Sequence, residues 1–279
     1  QTNFQNNKLN TELSLESWSE LESMNGIVRA LAVIGSNVYI GGTFVTAGNI
    51  TARRIVQWNG TSWSALGQGM NGEVNALAVI GSTLYAGGNF SSAGDVQANH
   101  IAQWDGVNWS TLGNGIGMDL RIFSLTVNGT NLYAGGDFTT ADGVPASRVA
   151  QYDGVNWSAI GSGVNNRVNA LLFYAGNLYA AGDFTTAGGN SANRIAFWNG
   201  SVWSNMGTGM SGPGDHIYCL AVFGTHIYAG GFFSSAGGVS ASNIARWEGS
   251  NWAALGDGMN DYVTAFSVSG GTLYAGGDF

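Results

Sequence analysis

The sequence predicts an all-β fold, a six-bladed β-propeller of four-stranded antiparallel blades. Two markers recur in step along the 279 residues. A Tyr-Ala-Gly-Gly-x-Phe segment, with small changes, ends at Phe44, Phe90, Phe138, Phe184, Phe233 and Phe279. A tryptophan that follows a turn falls at Trp18, Trp63, Trp109, Trp157, Trp203 and Trp252. The shared spacing of roughly 47 residues indicates one structural unit copied along the chain.

Residues 74–112 show the strand pattern of one unit. Apolar residues alternate or form short runs between glycine-rich turns, which is typical of strands and not of helices. We expect strands at 74–79, 83–86, 101–104 and 108–112. The tight turn at Gly81-Ser82 joins the first pair, and Asp105-Gly106 predicts a type I′ turn in the second, with a positive φ at both residues. Four short strands per unit are typical of a propeller blade.

Packing between blades explains the other repeated residues. Because neighbouring blades cover both faces of each sheet, the inner strands can be apolar on both sides. One position admits only small side chains, which predicts crowding near the axis and a structural role for Cys219: Ala30, Ala76, Ser124, Ala170, Cys219 and Ala265. The tryptophans that repeat in register are expected to fill layers between blades: Trp58, Trp63, Trp104, Trp109, Trp157, Trp198, Trp203, Trp247 and Trp252.

The two ends of the sequence predict how the ring closes. A remnant of a fourth strand around Trp18 and Leu21 comes first, and the last strand pattern ends at Phe279. We expect the N-terminal strand or strands to pair with the C-terminal half-blade and so remove exposed sheet edges. The alternative is a longer array that has been truncated. The predicted single domain, 1–279, comprises closing strands at 1–23, blades at about 24–69, 70–115, 116–163, 164–209 and 210–258, and a half-blade at 259–279.

The repeated unit resembles the kelch repeat over nearly the whole chain. The motif consists of a glycine pair that closes the second strand, an aromatic residue such as Trp58 or Tyr152, and a tryptophan five residues later. Ala181 departs from it by replacing the first glycine of one pair. The fuller consensus, as in residues 58–67, is similar to repeats of secreted bacterial surface proteins. WD40 repeats are disfavoured because Trp104-Asp105 is an isolated dipeptide. The glycine pairs are Gly41-Gly42, Gly87-Gly88, Gly135-Gly136, Gly230-Gly231 and Gly276-Gly277.

Composition and charge argue against a nucleic-acid partner and against a transmembrane segment. Nine cationic residues face seventeen acidic ones, with a net charge of −8, so a phosphate backbone would meet no basic stripe. Nucleic acid is therefore not expected as a partner. No run of eighteen apolar residues predicts a transmembrane segment. Because Gln1 is not an initiator methionine, we expect signal-peptide cleavage before it and an extracellular or cell-surface location. An incomplete chain is the alternative.

The sequence predicts no enzyme and no cofactor. His100, His216 and His226 lie at different places within their units, so a shared metal site is not expected. Copper chemistry of the galactose oxidase kind, known on kelch propellers, would need copper-binding histidines and a cysteine near a tyrosine. Three equivalent acids leave calcium open as an alternative, although we favour a role as acceptors of backbone hydrogen bonds at strand ends: Asp137, Asp183 and Asp278.

We expect the functional residues at positions where the repeated units differ, because packing between blades requires similar residues in every unit. The position just before the first strand varies, and by propeller geometry it surrounds the mouth of the central channel, with the long connections between the second and third strands on the same face. Ile27 is the residue at this position in the first unit, and we predict a binding surface at the residues of the other units: Glu73, Arg121, Arg167, His216 and Tyr262.

These observations lead to a predicted function and two alternatives. We expect a non-catalytic secreted or cell-surface propeller that serves as a module for protein interaction, adhesion or surface assembly, with a protein or surface-assembly partner and glycans as a further class of ligand. The first alternative is a multivalent carbohydrate-binding lectin that uses tryptophans and amides in grooves between blades. A hydrolase or lyase, the third class, would require acids that converge at the channel mouth.

Overall fold

The computed structural model describes residues 24–115, 117–212 and 214–279, and these residues contain strands and turns but no α-helix. No helix in these three ranges is therefore available to cross a membrane. The strands are, in chain order, β1 (Val28–Ile34), β2 (Asn37–Gly42), β3 (Thr46–Ala47), β4 (Ile50–Thr51), β5 (Ile55–Trp58), β6 (Trp63–Ala65), β7 (Glu73–Ile80), β8 (Thr83–Asn89), β9 (Ser92–Ala93), β10 (Val96–Gln97), β11 (Ile101–Trp104), β12 (Trp109–Ser110), β13 (Ile122–Asn128), β14 (Asn131–Gly136), β15 (Thr140–Ala141), β16 (Val144–Pro145), β17 (Val149–Tyr152), β18 (Trp157–Ala159), β19 (Val168–Tyr174), β20 (Asn177–Gly182), β21 (Thr186–Ala187), β22 (Asn190–Ser191), β23 (Ile195–Trp198), β24 (Trp203–Asn205), β25 (Met210–Ser211), β26 (His216–Phe223), β27 (His226–Phe232), β28 (Ser235–Ala236), β29 (Val239–Ser240), β30 (Ile244–Trp247), β31 (Trp252–Ala254), β32 (Val263–Ser269) and β33 (Thr272–Gly277).

The large sheets are antiparallel blades of four strands, each formed from one stretch of chain. Blade 1 is β1-β2-β5-β6, blade 2 is β7-β8-β11-β12 and blade 3 is β13-β14-β17-β18; blade 4 is β19-β20-β23-β24 and blade 5 is β26-β27-β30-β31. The last two strands, β32 and β33, form a final hairpin. The repeated four-stranded sheets predicted from the sequence are thus present, and every strand order is local.

The blades stack through their first strands and their glycine pairs. The first strand of each blade packs on that of the next, from β1 on β7 through to β26 on β32. Near the start of each following strand, one branched apolar residue is fully buried: Val74, Ile122, Val168, Ile217 and Val263. A Cβ placed on Gly41 would lie only 2.5 Å from Val74 Cγ1. The first glycine of the pair therefore makes room for the branched residue of the neighbouring blade.

The small-residue position is buried at Ala76, Ala170 and Cys219, half-buried at Ala30 and Ser124 and exposed at Ala265, and most of the repeated tryptophans are buried. Cys219 is buried, and burial raises the pKa of its thiol, which fits a structural role. The Trp104 and Trp109 rings form a pair with centroids 5.2 Å apart, and Trp109 Nε1 donates to Leu66 O of the preceding blade at 2.9 Å. Of the nine repeated tryptophans, three are half-buried and the others buried: Trp63, Trp198 and Trp247 are the half-buried ones.

Blade 2 tests the predicted strands directly. The third strand is confirmed as Ile101–Trp104, the first two extend to Glu73–Ile80 and Thr83–Asn89, and the fourth is shorter, at Trp109–Ser110. The type I′ turn prediction is wrong. Trp104 pairs with Trp109, which leaves a four-residue loop in which Gly106 alone has a positive φ, +104°. Asp105 Oδ1 closes this loop by accepting from the backbone N of Val107 and of Asn108, both at 2.7 Å.

The connection between the second and third strands lies beside the link that precedes the first strand. This connection forms a small hairpin of two-residue strands, such as β9-β10. Asn71 Oδ1 accepts from the backbone N of Ser91 at 2.9 Å and of Ser92 at 3.0 Å. Asn25, Asp119 and Asn165 do the same in blades 1, 3 and 4. The two predicted loop groups therefore share one end of the blades.

The first and last sheets differ from the interior ones. Val28 occupies the position of the five buried branched residues, yet it is 44% exposed. Leu31 and Val33 on the same strand are 58% and 60% exposed. At the other end, a Cβ on Gly276 would have no heavy atom within 4 Å. The closing strand or strands predicted within residues 1–23 lie outside the described residues.

Candidate functional site

Three variable positions of each blade lie together at one end of its first strand. The first is the predicted position before or at the start of that strand, and the second is the residue that follows the glycine pair. The third is an unpaired residue in the first strand, where the pairing register shifts, for example between Val74 and Ala76. Such a β-bulge re-aims a side chain. The residues in the bulges are Arg29, Asn75, Phe123, Asn169, Tyr218 and Thr264.

The second glycine of the pair holds this end of the blade in place. In blade 3, a Cβ on Gly136 would overlap the backbone carbonyl of Arg121. The same carbonyl accepts from Asp137 N at 3.1 Å. The variable residue is thus fixed through its backbone, so its side chain remains free to differ from blade to blade.

Arg121 is anchored by an acid of its own blade. Its Nη2 and Nε lie 2.6 Å and 3.0 Å from Asp137 Oδ2, and the Asp137 side chain is only 16% exposed. The Arg121 side chain is 41% exposed. A largely buried carboxylate therefore orients a guanidinium that remains accessible to solvent.

Phe123 joins Arg121 to Arg167 of the next blade. The guanidinium carbon of Arg121 lies 5.3 Å from the Phe123 ring centroid, and that of Arg167 lies 4.9 Å away. Both distances are typical of cation–π contacts. Arg167 is less completely paired than Arg121, because Nη1 lies 3.8 Å from Asp183 Oδ2 and the buried Nε has no hydrogen-bond partner.

Asp183 connects blade 4 to blade 5. Its Oδ1 lies 2.8 Å from His216 Nδ1 and accepts from Asn169 Nδ2 at 3.0 Å. Asn169 Nδ2 also donates to Ile217 O at 3.0 Å, across the boundary between the blades. The acid and the bulge residue therefore hold His216, whose side chain is 41% exposed.

Aromatic rings continue the surface beyond His216. Its ring centroid lies 5.9 Å from that of Tyr218, which lies 6.1 Å from that of Tyr262. Phe232 packs against Tyr262 with centroids 4.6 Å apart. Burial, with Tyr262 and Asp183 nearby, raises the pKa of Tyr218. We name this connected surface the variable arc and define it as Arg121, Phe123, Arg167, Asp183, His216, Tyr218, Phe232 and Tyr262.

The structure connects four of the five predicted binding residues and leaves one apart. Arg121, Arg167, His216 and Tyr262 all belong to the variable arc. Glu73 instead faces blade 1, where its Oε2 lies 3.9 Å from Nη2 of Arg29. The prediction missed the bulge residues between them, although variation two positions along the sequence would have indicated Phe123, Asn169 and Tyr218.

Two of the three predicted acids, Asp137 and Asp183, pair with basic side chains. Asp137 and Asp183 accept from side chains, not from the backbone donors that we expected, because the arginines and His216 point along the same edge. Within the described ranges no group of three or more metal-ligating residues occurs. His216 and Asp183 resemble a base with its orienting acid, but the described contacts of His216 supply no nucleophile.

A second set of side chains, also missed, supports the connections from within. At one equivalent position in each blade a residue other than glycine has a positive φ, for example +67° at Arg194. Arg194 Nε lies 2.8 Å from Asp215 Oδ2. Its Nη1 donates to the backbone O of Asp183 and of Phe184, both at 3.1 Å. These residues brace the loops structurally: Arg54, His100, Arg148, Arg194 and Asn243.

Two grooves lie at equivalent boundaries between blades. One, of about 300 Å³, lies between blades 1 and 2 and is lined by Arg53, Gln68 and Asn71 among others. The other, of about 240 Å³, lies between blade 5 and the final hairpin and is lined by Phe232, Asn243 and Asn260 among others. Their volumes approach those of small-molecule sites. None of the repeated tryptophans lines either groove.

Comparison with known proteins identifies the fold. No protein family model matches the chain, and no curated protein matches its sequence. The WD40 β-propeller domain of Doa1 is similar in structure, with a TM-score of 0.58 and 16% identity over 89% of this chain and 74% of that one. Weaker similarities are to a chain of the nidogen/laminin complex (TM-score 0.48, 13% identity, 79% of this chain and 75% of that one) and to the computationally designed Ika4 protein (0.43, 17%, 64% and 94%). With its repeated antiparallel blades, the chain has a β-propeller fold.

Proposed function

We propose that the chain is a non-catalytic propeller that binds a protein partner through the variable arc. The observation that carries this proposal is the continuous contact of side chains from blade 3 to the final hairpin at positions where the blades differ. Three accessible basic side chains pair with the largely buried carboxylates of Asp137 and Asp183, and aromatic rings follow them. Arginine and tyrosine are among the residues that most often dominate protein interfaces.

The wider setting belongs to the same proposal. We propose a kelch-like propeller of six blades, closed into a ring by its N-terminal strands, which works outside the cell or on its surface in adhesion or surface assembly. The repeat consensus at residues 58–67, which is similar to repeats of secreted bacterial surface proteins, supports this setting. We propose no enzymatic activity and no cofactor.

The test compares variants of the arc with a matched control. Surface and secreted proteins of the source organism are labelled and passed over the immobilised chain, and the affinity of each retained protein is then measured. We expect Arg167→Ala and Tyr262→Ala each to weaken one such interaction by about tenfold or more, equivalent to ~1.4 kcal/mol.

Arg246→Ala is the control, because this arginine lies on the third strand of blade 5 and pairs with Glu248. It should leave the affinity unchanged. If every retained protein binds the arc variants as tightly as the unchanged chain, the arc is not the binding surface and the proposal fails.

A multivalent lectin is the second candidate, favoured by the two equivalent grooves with amide side chains. A glycan array followed by titration calorimetry distinguishes the two functions. Several equal sites per chain, weakened by Gln68→Ala and Asn260→Ala but not by Arg167→Ala, would favour the lectin.

A further inference from the structure

We propose that the groove between blades 1 and 2 binds the carboxylate of an acidic monosaccharide unit, such as a hexuronic acid of an anionic glycan, through Arg53 and Arg54. None of the residues that line this groove belongs to the variable arc. The site is therefore separate from the proposed protein-binding surface.

The backbone at the position of Arg53 is fixed in every blade, whereas its side chain varies. The carbonyl of this residue accepts a hydrogen bond from the following link: Arg53 O from Met70 N at 2.9 Å, and Ser242 O from Met259 N at 2.9 Å. In blades 2 to 5 the side chain is small and polar: Asn99, Ser147, Asn193 and Ser242. Among the five blades, arginine takes this place only in blade 1. Packing does not require it there, so it is available for recognition.

Arg53 also differs from its counterparts in backbone conformation. Its φ is +42°, and that of Arg54, the next residue, is +74°. In the other four blades only the second residue of this pair has a positive φ: His100, Arg148, Arg194 and Asn243. Residues other than glycine rarely adopt this conformation, and those that do are concentrated at functional sites. The doubled strain is specific to the arginine pair.

Neither arginine has a carboxylate partner among the residues that the structure describes. Arg54 Nη1 donates to Met70 O at 3.3 Å, and no ion pair in the described ranges includes Arg53 or Arg54. Arg54 is nevertheless half-buried. A guanidinium that loses part of its hydration gains from an anion that pairs with it, and its parallel N–H groups match a carboxylate. Other arginines do pair with an acid: Arg29, Arg121, Arg167, Arg194 and Arg246.

The groove has the size and the other polar groups that suit one sugar ring. Its volume of about 300 Å³ lies at the lower end of the range for small-molecule sites. Thr51, Gln68 and Ser92 line it beside the arginine pair, and Val45 and Met70 provide apolar contact. Hydroxyl and amide side chains can exchange hydrogen bonds with sugar hydroxyls. A ligand that has both hydroxyls and a carboxylate therefore matches the lining.

Asp95 limits the charge of the ligand. Gln68 Nε2 donates to Asp95 Oδ1 at 2.6 Å, which holds this acid beside the groove. Two guanidinium groups and one carboxylate leave a single net positive charge. The carboxylate of a sugar acid neutralises it, whereas a phosphate monoester has a charge of about −2 and would be repelled by Asp95. The charges therefore favour a carboxylate over a phosphate.

The equivalent groove between blade 5 and the final hairpin lacks the arginines. Asn243 Nδ2 donates to Met259 O at 3.0 Å, as Arg54 Nη1 does to Met70 O. Ser242 takes the place of Arg53. The two grooves therefore share a backbone contact but differ in charge, so residues of the second groove are suitable substitutions in the first.

Titration calorimetry on the full chain at low ionic strength tests the proposal, with glucuronate and galacturonate as probes and glucose and glucose 6-phosphate as comparison ligands. We expect one site per chain, at which at least one uronate binds about tenfold more tightly than either comparison ligand. Arg53→Ser and Arg54→Asn install the residues of the second groove, and each should weaken this binding by about tenfold or more. Asparagine tolerates the positive φ of the second position.

Arg148→Asn is the matched control, because Arg148 is the equivalent of Arg54 in blade 3 and lies outside the groove. It should leave the affinity for the uronate unchanged. The thermal midpoint of each variant is measured alongside. Arg53 is exposed, so Arg53→Ser tests the site even if Arg54→Asn proves unstable.

Several results would overturn this assignment of the groove. These are no binding of either uronate, equal binding of glucose, tighter binding of glucose 6-phosphate, or uronate binding that Arg53→Ser leaves unchanged. Arg167→Ala, in the variable arc, should weaken the protein partner and leave the uronate affinity as it is. The groove and the arc can therefore fail independently.

Discussion

The two glycines of a pair meet different obstacles, which predicts unequal effects of the same substitution. A Cβ on Gly135 would lie 2.7 Å from Val168 Cγ1 and 3.0 Å from Leu171 Cγ, both side-chain atoms of the next blade. A Cβ on Gly136 would overlap the backbone carbonyl of Arg121. Side chains can change rotamer, whereas a carbonyl moves only if the strand moves. We therefore expect Gly136→Ala to be the more damaging change.

The magnitudes follow from these contacts. Gly135→Ala overpacks a core, which typically costs 1–3 kcal/mol, and about 0.4–1 kcal/mol is recovered by the stiffer unfolded chain, so we expect a net loss of about 1 kcal/mol. Gly136→Ala pays the upper end of that range and also loses the bond from Asp137 N to Arg121 O, worth about 0.5–1.5 kcal/mol. Its expected loss is about 3 kcal/mol. The difference of about 2 kcal/mol is a factor of roughly 30 in the folding equilibrium.

Urea unfolding followed by tryptophan fluorescence measures both variants. Ala181 gives a natural control, because it already occupies the first position of the pair in blade 4 and is fully buried. Ala181→Gly should change the free energy of unfolding by no more than about 1 kcal/mol. Equal losses for Gly135→Ala and Gly136→Ala, or a larger loss for Gly135→Ala, would refute the distinction between side-chain and backbone contacts.

Three further predictions concern single groups. Trp109→Phe removes the donor to a carbonyl of blade 1 and should lower the free energy of unfolding by at least about 1 kcal/mol more than Trp157→Phe, whose indole has no acceptor; equal losses in urea would contradict this. Burial raises the pKa of Asp119, but hydrogen bonds from Thr139 and Thr140 outweigh it and hold the pKa below its ordinary value. The stability from Asp119 is therefore present above about pH 4 and lost as the pH falls further, so Asp119→Asn should flatten the decline of the thermal midpoint between pH 5 and pH 2; an unchanged slope would count against it. Burial raises the pKa of the Cys219 thiol, so a thiol reagent should react at pH 8 only after unfolding, and fast labelling of the folded chain would exclude the buried position.

The blade itself could be predicted from the sequence because its signals are local. The third strand of blade 2 was placed correctly at residues 101–104, where apolar residues lie between two turns. The Asp105-Gly106 turn was not, because an aspartate followed by glycine fits both a two-residue turn and a longer loop closed by its own carboxylate. Pairing of Trp104 with Trp109 decides between them, and that pairing is a property of the sheet.

The sequence indicated which residues belong to the variable arc but not the contacts among them. Variation among units indicated Arg121, Arg167, His216 and Tyr262 without reference to partners. The interaction of Asp183 with His216 crosses from one blade to the next, over 33 residues of sequence. Such a contact depends on how far consecutive sheets are rotated, and no local pattern encodes that rotation. Phe123 was missed for a related reason, since a bulge is visible only when the register of both strands is known.

The division between constant and variable residues has a physical cause. The variable residues lie at the end of each blade where the first strand begins. There the glycine pair and a backbone hydrogen bond hold each of them by its main chain, as Gly136 and Asp137 N hold Arg121. No packing requirement then applies to its side chain, so Arg121, His216 and Tyr262 can occupy equivalent positions without altering the fold. Further along the same strand, at the position of Ala76, the side chain is buried, and in blade 5 Cys219 Sγ lies 3.7 Å from Val263 O of the final hairpin. A surface for recognition can therefore change at this end while the packed interior of each blade stays the same.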